Sequence, residues 1–386
     1  MNKSIHILGV MTGTSCDGID LACLEIQNEK WKVLWTQSEG YPSSLKKRVL
    51  KIQAPGNLVH LRDLLEVDLD LGIWYSKVIQ SATRKHKSQR PDVIANHGQT
   101  VAHFPKKKSA GTTLQLGEPT AIAHGTGITV VSHFRNGDLC AHGQGAPLVP
   151  VFHKMIADSL KLSHNGVSIH NIGGISNLTY ILGNKTLAFD TGPGNILIDA
   201  ATQLATKEKQ SFDRSGLLAA HGAIDIAALK KMMKHSFFNA PPPKSTGRDD
   251  FPFEFLLKTC KKRNLDLVAT ATALTAWSIA LSYRKWIFEK KLPLQSIFLC
   301  GGGAKNHYLT TLIQDNLPEV HVRPLEEVSQ LSGDYIEAAG FGYLGYLALK
   351  GMPVGGKWTG AQGFGPPGCI TPGENWNKVR TLLSRL

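Results

Sequence analysis

The sequence predicts an α/β protein in which one plan of strands and helices is used twice. Strand-like apolar runs at Ile5 to Met11, Leu21 to Ile26 and Trp31 to Thr36 form a three-strand meander, and Val167 to Ile172, Leu178 to Leu182 and Thr186 to Phe189 form a second. In each meander the first turn is built from Gly and hydroxyl residues, Thr12-Gly-Thr-Ser-Cys-Asp-Gly18 in one and Gly173-Gly-Ile-Ser-Asn177 in the other. Each is followed by helices and further strands, the texture of a duplicated α/β unit. The polar stretch Ser163 to Gly166 separates the halves, so the expected domains are 1–162 and 163–386.

Composition narrows the function classes. The chain has 386 residues, 42% hydrophobic and 19% charged, which is enough for two domains with real cores. Its formal charge is +13, but Lys and Arg are scattered apart from short clusters at Lys106 to Lys108 and Lys261 to Arg263. A nucleic-acid binder needs a basic stripe with interleaved aromatics, and neither is present. The overall field suits small anionic ligands such as nucleotides or carboxylate-bearing sugars. Six cysteines without a C-x-x-C pair or a zinc-like spacing fit a reducing cytoplasm. The apolar run after Lys3 breaks at Thr12-Gly13, so no export signal is expected, and Leu267 to Leu281, interrupted by Thr and Ser, reads as a buried helix.

Taken in order, the first turn, Gly13 to Asp20, can offer backbone N–H groups and hydroxyls to phosphate oxygens. It lacks the Walker pattern, and Gly, Thr, Ser and Asp also build ordinary turns. Apolar residues at helical spacing from Leu61 to Ile79 predict one or two core helices between Leu61 and Lys87. Asp92 to Ala95 reads as a strand ending in the polar cluster Asn96-His-Gly-Gln-Thr100, where His97 has no visible partner. Leu114 to Leu116 and Ile128 to Val131 continue the strands, with a short helix from Glu118 to His124 between them. Arg135, beside a Gly-rich segment, is equally a clamp for carboxylate or phosphate and a surface cation.

In the second half, Leu187 to Phe189 ends a strand that Gly192-Pro-Gly194 cannot continue, and Asn195 suits the N-cap of the helix that follows. That leaves Asp190 for other work at a strand end, the place where α/β enzymes bind ligands. The loop Lys244 to Asp250, after three prolines, is a further candidate for ligand contact. Ser296 to Cys300 opens into Gly301-Gly302-Gly303, where backbone or ligand comes too close for a Cβ; the G-x-G-x-x-G dinucleotide signature is not completed. A helix from Asp334 to Leu349 carries Glu337 in its first turn, and the Gly- and Pro-rich tail from Gly351 reads as loop with a last helix from Asn377 to Leu386.

Several segments together resemble the anhydro-N-acetylmuramic acid kinases, in the actin-like sugar kinase and Hsp70 superfamily. They are Gly9-Val-Met-Thr-Gly-Thr-Ser-Cys-Asp-Gly-Ile-Asp20, His97-Gly-Gln-Thr100, Phe134-Arg135, Gly143-Gln-Gly-Ala-Pro-Leu148, Asn171-Ile-Gly-Gly-Ile-Ser-Asn177, Phe189-Asp-Thr-Gly-Pro-Gly-Asn195, Lys244-Ser-Thr-Gly-Arg248, Cys300-Gly-Gly-Gly-Ala304 and Glu337-Ala338. They run in family order from the first strand to the last long helix. The resemblance implies two actin-like (ribonuclease H-like) domains facing an ATP cleft. It implies a cytoplasmic phosphotransferase that uses ATP, Mg²⁺ and water to open 1,6-anhydro-N-acetylmuramic acid and phosphorylate O6, in cell-wall sugar recycling. ATP would meet Gly13, Thr14, Ser15, Cys16, Asp17, Gly18, Ile19, Asp20, Asn171, Gly173, Gly174, Gly301, Gly302 and Gly303. Asp190 matches the general base, Thr100, Arg135 and Glu337 the sugar site, and Asp17 and Asp20 are candidates for the metal. The partners are these small molecules, with no nucleic acid or membrane, and a homodimer is left open.

The chain departs from the family pattern beside Arg135. His133 stands where an Asp commonly precedes Phe-Arg, and His142 where a Gly commonly precedes Gly-Gln-Gly. A nucleotide-gated binding protein on the same fold is the second reading, since actin-like folds also serve as filaments and chaperones. A pure binder has no need of a base at Asp190, so the enzyme is favoured.

Overall fold

The computed structural model describes residues 4–27, 30–54, 56–106, 109–329 and 331–384. Lys3, two residues of the basic cluster (Lys107 and Lys108) and the end of the expected last helix lie outside these. In chain order the strands are β1 (Ile5–Thr12), β2 (Gly18–Gln27), β3 (Lys30–Gly40), β4 (Val93–Phe104), β5 (Thr112–Leu116), β6 (Thr129–Ser132), β7 (Val167–Ile172), β8 (Ile175–Leu182), β9 (Lys185–Pro193), β10 (Ser296–Cys300), β11 (His321–Pro324) and β12 (Cys369–Thr371). The helices that position functional residues are α1 (Ser43–Gln53), α2 (Leu61–Lys85), α3 (Pro119–Thr126), α4 (Phe134–Cys140), α5 (Ile196–Ala205), α6 (Ser236–Asn239), α7 (Leu265–Tyr283) and α8 (Ile336–Leu349).

The duplication is visible in strand order. One sheet runs β12-β6-β4-β1-β2-β3 with β5 paired to β4, and the other runs β11-β10-β7-β8-β9. In both, a central strand pairs antiparallel with the second strand of its meander and parallel with the strand that follows the helices. Third, second, first, fourth, fifth is therefore the shared order, the ribonuclease H-like plan of actin-like domains. Strands β7 and β10 are buried along their whole length, as strands covered on both faces must be.

The chain forms two compact units, 1–152 with 335–386, and 153–334. This differs from the expected division at 162, which gave the C-terminal segment to the second half. That segment belongs to the first unit because α8 lies along β1 and because β12 pairs antiparallel with β6, Cys369 facing Ser132. The close approach of α8 requires Gly9: a Cβ there would sit 1.8 Å from the Ala338 carbonyl oxygen.

One helix differs from expectation in the face it buries. In α2 the buried stripe is Val67, Leu71, Tyr75, Val78, Ile79 and Ala82, whereas Leu61, Leu65, Leu69 and Ile73, expected in the core, are exposed. Helix α7, with the π turn that follows it, makes an apolar segment of 24 residues, Leu265–Phe288, long enough to cross a membrane. It is the buried core helix of the second unit, and its hydroxyls bond the carbonyls of the preceding turn, as Thr272 does to Val268 and Ser282 to Ser278.

Candidate active site

In the second unit, Asp190 sits within β9, which continues through Gly192 to Pro193 instead of ending at Phe189. The strand survives its glycine and proline because pairing with β8 shifts register there: Asn177 faces Asp190, Ser176 faces Gly192, and Thr191 is bulged out. Thr191 Oγ1 bonds the carbonyl and hydroxyl of Ser176, at 3.1 and 3.0 Å. Behind Ser176 a buried chain continues through His170 Nε2 (2.7 Å) and from His170 Nδ1 to the Tyr283 hydroxyl (3.0 Å), which also meets Ser168 Oγ (2.7 Å). Burial, reinforced by the neighbouring His153, lowers the His170 pKa to about 3, so this ring is neutral.

Asp190 is buried, and the loop 244–250 covers it. The Thr246 N–H donates to Asp190 Oδ2 at 2.9 Å, and the Asp190 N–H donates to the Lys244 carbonyl at 3.1 Å. Lys244 is itself buried, 7% exposed, with its ammonium donating to the Phe237 carbonyl at 3.0 Å. Its pKa falls to about 8 through burial, opposed by the charge of Asp190.

The turn at 173–174 is closed onto the start of α5. Gly194 and Ile196 donate to the Gly174 carbonyl and Asn195 to that of Gly173, at 2.9, 3.3 and 2.8 Å. These amides, which would otherwise greet an anion, are occupied. Asn195 does not cap the helix with its side chain, contrary to expectation; that side chain turns back toward the Ile172 carbonyl, 3.5 Å away. The Thr275 hydroxyl, reaching from α7 to the Gly194 carbonyl at 2.8 Å, fixes the same turn from below.

The three glycines after β10 serve different ends. A Cβ on Gly301 would sit 2.3 Å from Asn171 Oδ1, and one on Gly303 would sit 2.2 Å from Ile172 Cγ2. Packing within the unit explains both. Gly302 meets nothing nearer than Asn195 Nδ2 at 3.5 Å, so it is the glycine that a ligand could require.

In the first unit, Thr14, Ser15 and Asp17 of the first turn are exposed, while Cys16 is buried with φ 54° and anchors the turn through Gln53. Gln99, fully buried, donates to the Gly13 carbonyl (3.1 Å) and accepts from the Tyr41 hydroxyl (2.7 Å). The polar stretch 96–99 is therefore strand interior with partners, not the strand end expected from its composition. Strand β4 passes a bulge at Gly98, φ 77°, before pairing with β5, and Thr100 lies just beyond. Asp20 accepts from the Ser38 hydroxyl at 2.6 Å, which lies 3.1 Å from the Tyr335 hydroxyl, two residues before Glu337. Asp17 pairs with Lys46 at 3.2 Å.

Arg135 is in the first turn of α4. Its Nη1 donates to the Gly145 carbonyl at 2.7 Å, and Nε and Nη2 point at His97 Nε2, at 3.2 and 2.9 Å. Burial and the adjacent guanidinium push the His97 pKa well below its ordinary value, so the ring accepts from Arg135 as a neutral imidazole. Asp138 locks the facing loop, accepting from the Gly145 N–H at 2.7 Å and the Thr359 hydroxyl at 2.6 Å. From α8, Phe341 packs on both His97 and Phe134, with ring centroids 4.3 and 5.6 Å away.

A family model described as anhydro-N-acetylmuramic acid kinase matches residues 5–373. The chain belongs to the anhydro-N-acetylmuramic acid kinase family. A protein of that name from Acidithiobacillus ferrooxidans is 35% identical over 98% of this chain and 95% of its own length. Another, from Acaryochloris marina, is 36% identical over 90% of this chain and 94% of its own. Among solved structures, a ROK family glucokinase from Streptomyces griseus in complex with glucose and AMPPNP covers 89% of this chain and 99% of its own, at 11% identity and a TM-score of 0.36. That likeness is too distant to carry argument.

Within this kinase family chain, the first unit gathers the first turn, Thr100, Arg135 and Glu337 around β1, β4 and α8. The second gathers Asp190, Asn171, Gly173, Gly174 and Gly301 to Gly303 around β7, β9 and β10. Residues that sequence reading left without a role turn out to be supports: His97 holds Arg135, Asp138 holds the loop at Gly145 that faces it, and Lys244 holds Asp190. His97 and Lys244 were inside quoted motifs, but the partner of each lies far along the chain or in the main chain. A cavity of about 480 Å³ lined by Gln80, Thr83, Arg84 and Arg90, among others, contains none of the candidate residues.

Proposed function

We propose that Asp190 is the general base of an ATP-dependent kinase that opens 1,6-anhydro-N-acetylmuramic acid and phosphorylates its O6. The family match over nearly the whole chain supports the reaction, and a buried carboxylate gripped by the Thr246 amide at a bulged strand supports the role. Asp190 takes a proton from water as the water oxygen bonds to the anomeric carbon. The bond from that carbon to O6 breaks, and O6 takes the γ-phosphoryl group, leaving ADP and N-acetylmuramic acid 6-phosphate. Arg135 meets the sugar carboxylate, its fork held in plane by the neutral His97 and the Gly145 carbonyl. Thr100 and Glu337 complete the sugar contacts, and the exposed amides and hydroxyls of 13–15 meet phosphate. Gly302 lies under the adenosine.

Among the described residues no group of three or more His, Cys, Asp and Glu side chains comes together. Mg²⁺ still fits, because it is commonly held by one or two carboxylates together with substrate phosphates and water. Asp20, half-buried and oriented by Ser38, is the better placed of the two candidates, and Asp17 the second. When bound, the ion neutralises charge on the phosphates. That the six cysteines form no disulfide among the described residues supports a cytoplasmic place for the enzyme. Incubation with ATP, Mg²⁺ and the anhydro sugar in ¹⁸O-water, followed promptly by mass spectrometry, tests the whole reading. Label should appear in the C1 hydroxyl and not in the phosphate, and label in the phosphate would show that water attacks ATP instead.

A further inference from the structure

We infer that Lys244 is a positioning residue for the base: its buried ammonium pins the loop 244–250 so that the loop can hold the Asp190 carboxylate in one orientation. The inference rests on the reading of Asp190 as the base. Three observations lead to it. First, Asp190 is gripped twice by a three-residue segment, its N–H by the Lys244 carbonyl and its Oδ2 by the Thr246 N–H. Second, that segment is neither helix nor strand, so no ladder of backbone bonds holds it in place. Third, the lysine side chain of the same segment runs inward. Its Nζ lies 3.0 Å from the Phe237 carbonyl and 3.5 Å from that of Phe238, over the Phe237 ring at 4.5 Å and the Phe189 ring at 5.5 Å.

The two carbonyls belong to α6, a single helical turn; that of Phe237 also accepts from the Ala240 N–H at 3.1 Å, and a cation suits this C-terminal end of the turn. The Phe189 ring immediately precedes Asp190, so the ammonium touches both the strand that carries the base and the helix that backs the loop. Burying an amine is costly, and an apolar side chain of similar length would pack the site more cheaply. The depressed Lys244 pKa registers that cost. What the ammonium adds over an apolar chain is direction: with Oδ2 committed to the Thr246 amide, the plane of the carboxylate is set. The line along which it can take a proton from water is set with it. Displacement of a catalytic group by about 1 Å can cost on the order of 100-fold in rate.

The test is a cycle of Lys244→Met and Asp190→Asn in the full chain, following product by mass spectrometry under saturating ATP and sugar. Lys244→Met should lower kcat about 10- to 100-fold and leave the KM for ATP within about twofold, because it acts on orientation and not on nucleotide binding. Added to Asp190→Asn, it should cost less than about threefold more, since a positioning residue has nothing left to position. Wild-type turnover in Lys244→Met, or a full second loss in the double variant, overturns the inference. If the Met variant does not melt cooperatively, Lys244→Leu, which likewise has no donor for the Phe237 carbonyl, is carried through the same cycle with the same outcomes deciding. Failure of the base assignment is read separately, as near wild-type turnover in Asp190→Asn alone.

Discussion

Replacing Gly9 by Ala tests how the C-terminal helix is held and what depends on it. The new Cβ would lie 1.8 Å from the Ala338 oxygen and 2.6 Å from the Gly342 nitrogen, both backbone atoms that cannot rotate away. A carbon needs about 3.3 Å from an oxygen, so α8 must retreat by roughly 1.5 Å along that contact. Strand β1 cannot yield in its place, because it is paired on both sides, with β2 and β4. Overpacking of a fixed interface costs about 1–3 kcal/mol and occasionally more. A backbone-to-backbone clash belongs at the top of that range, so about 3 kcal/mol is expected. Since about 1.4 kcal/mol is a factor of ten, amide exchange limited by opening of this unit should accelerate by about 100-fold.

Hydrogen exchange resolved by peptide is the suitable assay, because two compact units need not unfold as one and a single melting curve would blur them. Peptides from β1 and α8 should exchange faster, and those from β7 and β10 should not change. Glu337 and Ala338 are neighbours, so the KM for the sugar should rise together with exchange. Less than a threefold change in the β1 and α8 peptides would show that the helix has room to spare, and the argument from close approach would fall.

Asp190→Asn should lower turnover by about 10²- to 10⁴-fold with ATP binding by calorimetry unchanged, and near wild-type turnover would remove Asp190 from the chemistry. Gly302→Ala should leave the melting temperature within a degree or two and weaken ATP, whereas Gly303→Ala, whose Cβ would meet Ile172, should destabilise the second unit; equal behaviour of the two would contradict the separate roles. The buried histidines His153 and His170 titrate at about 3 and His103 at about 4, against an ordinary value of about 6.5. Below that value the unfolded chain takes up protons that the folded chain refuses, so stability should fall as pH drops from about 6.5 toward 4. Urea midpoints at pH 7, 6 and 5 would show it, His153→Gln should flatten the slope, and a midpoint independent of pH would refute the cause.

Local pattern and long-range partnership separate what was legible in the sequence from what was not. The six meander strands could be read because each is a short apolar run bounded by polar residues or glycine, and burial on a sheet follows from that alone. Strand β4 was read too short, since Asn96 and Gln99 are strand residues only because the Gly117 carbonyl, Tyr41 and Gly13 await their amides. Helix α2 carries apolar residues on two stripes, and periodicity cannot say which one meets the sheet. Strand β12 has three residues and an exposed Ile370, so only its pairing with β6 reveals it. The candidate site divides in the same way. Asp190, Arg135 and the glycines stand out by residue type in their turns, whereas Lys244 and His97 acquire meaning only from atoms distant in sequence.

His133 and His142, the two departures from the family pattern, find a common explanation in the backbone. Both have positive φ, 59° and 63°. The residues common in the family at these places are Asp and Gly, and with Asn and His they are the types that best tolerate the left-handed region. What the positions require is a conformation, not a side-chain contact. The guanidinium of Arg135 is held by His97 and the Gly145 carbonyl, and the facing loop by Asp138, none of which involves the side chains of 133 or 142. Sugar recognition should therefore survive both departures. His142→Gly makes this testable: His142 is exposed, so little packing is lost, and relief of left-handed strain, about 1–2 kcal/mol, is partly offset by the greater freedom of glycine when unfolded, about 0.5–1 kcal/mol. The net should be a gain of roughly 0.5–1 kcal/mol in stability, with the KM for the sugar unchanged. A rise of threefold or more in that KM would mean that the imidazole at 142 touches the sugar, and that this chain reads its substrate differently from its relatives.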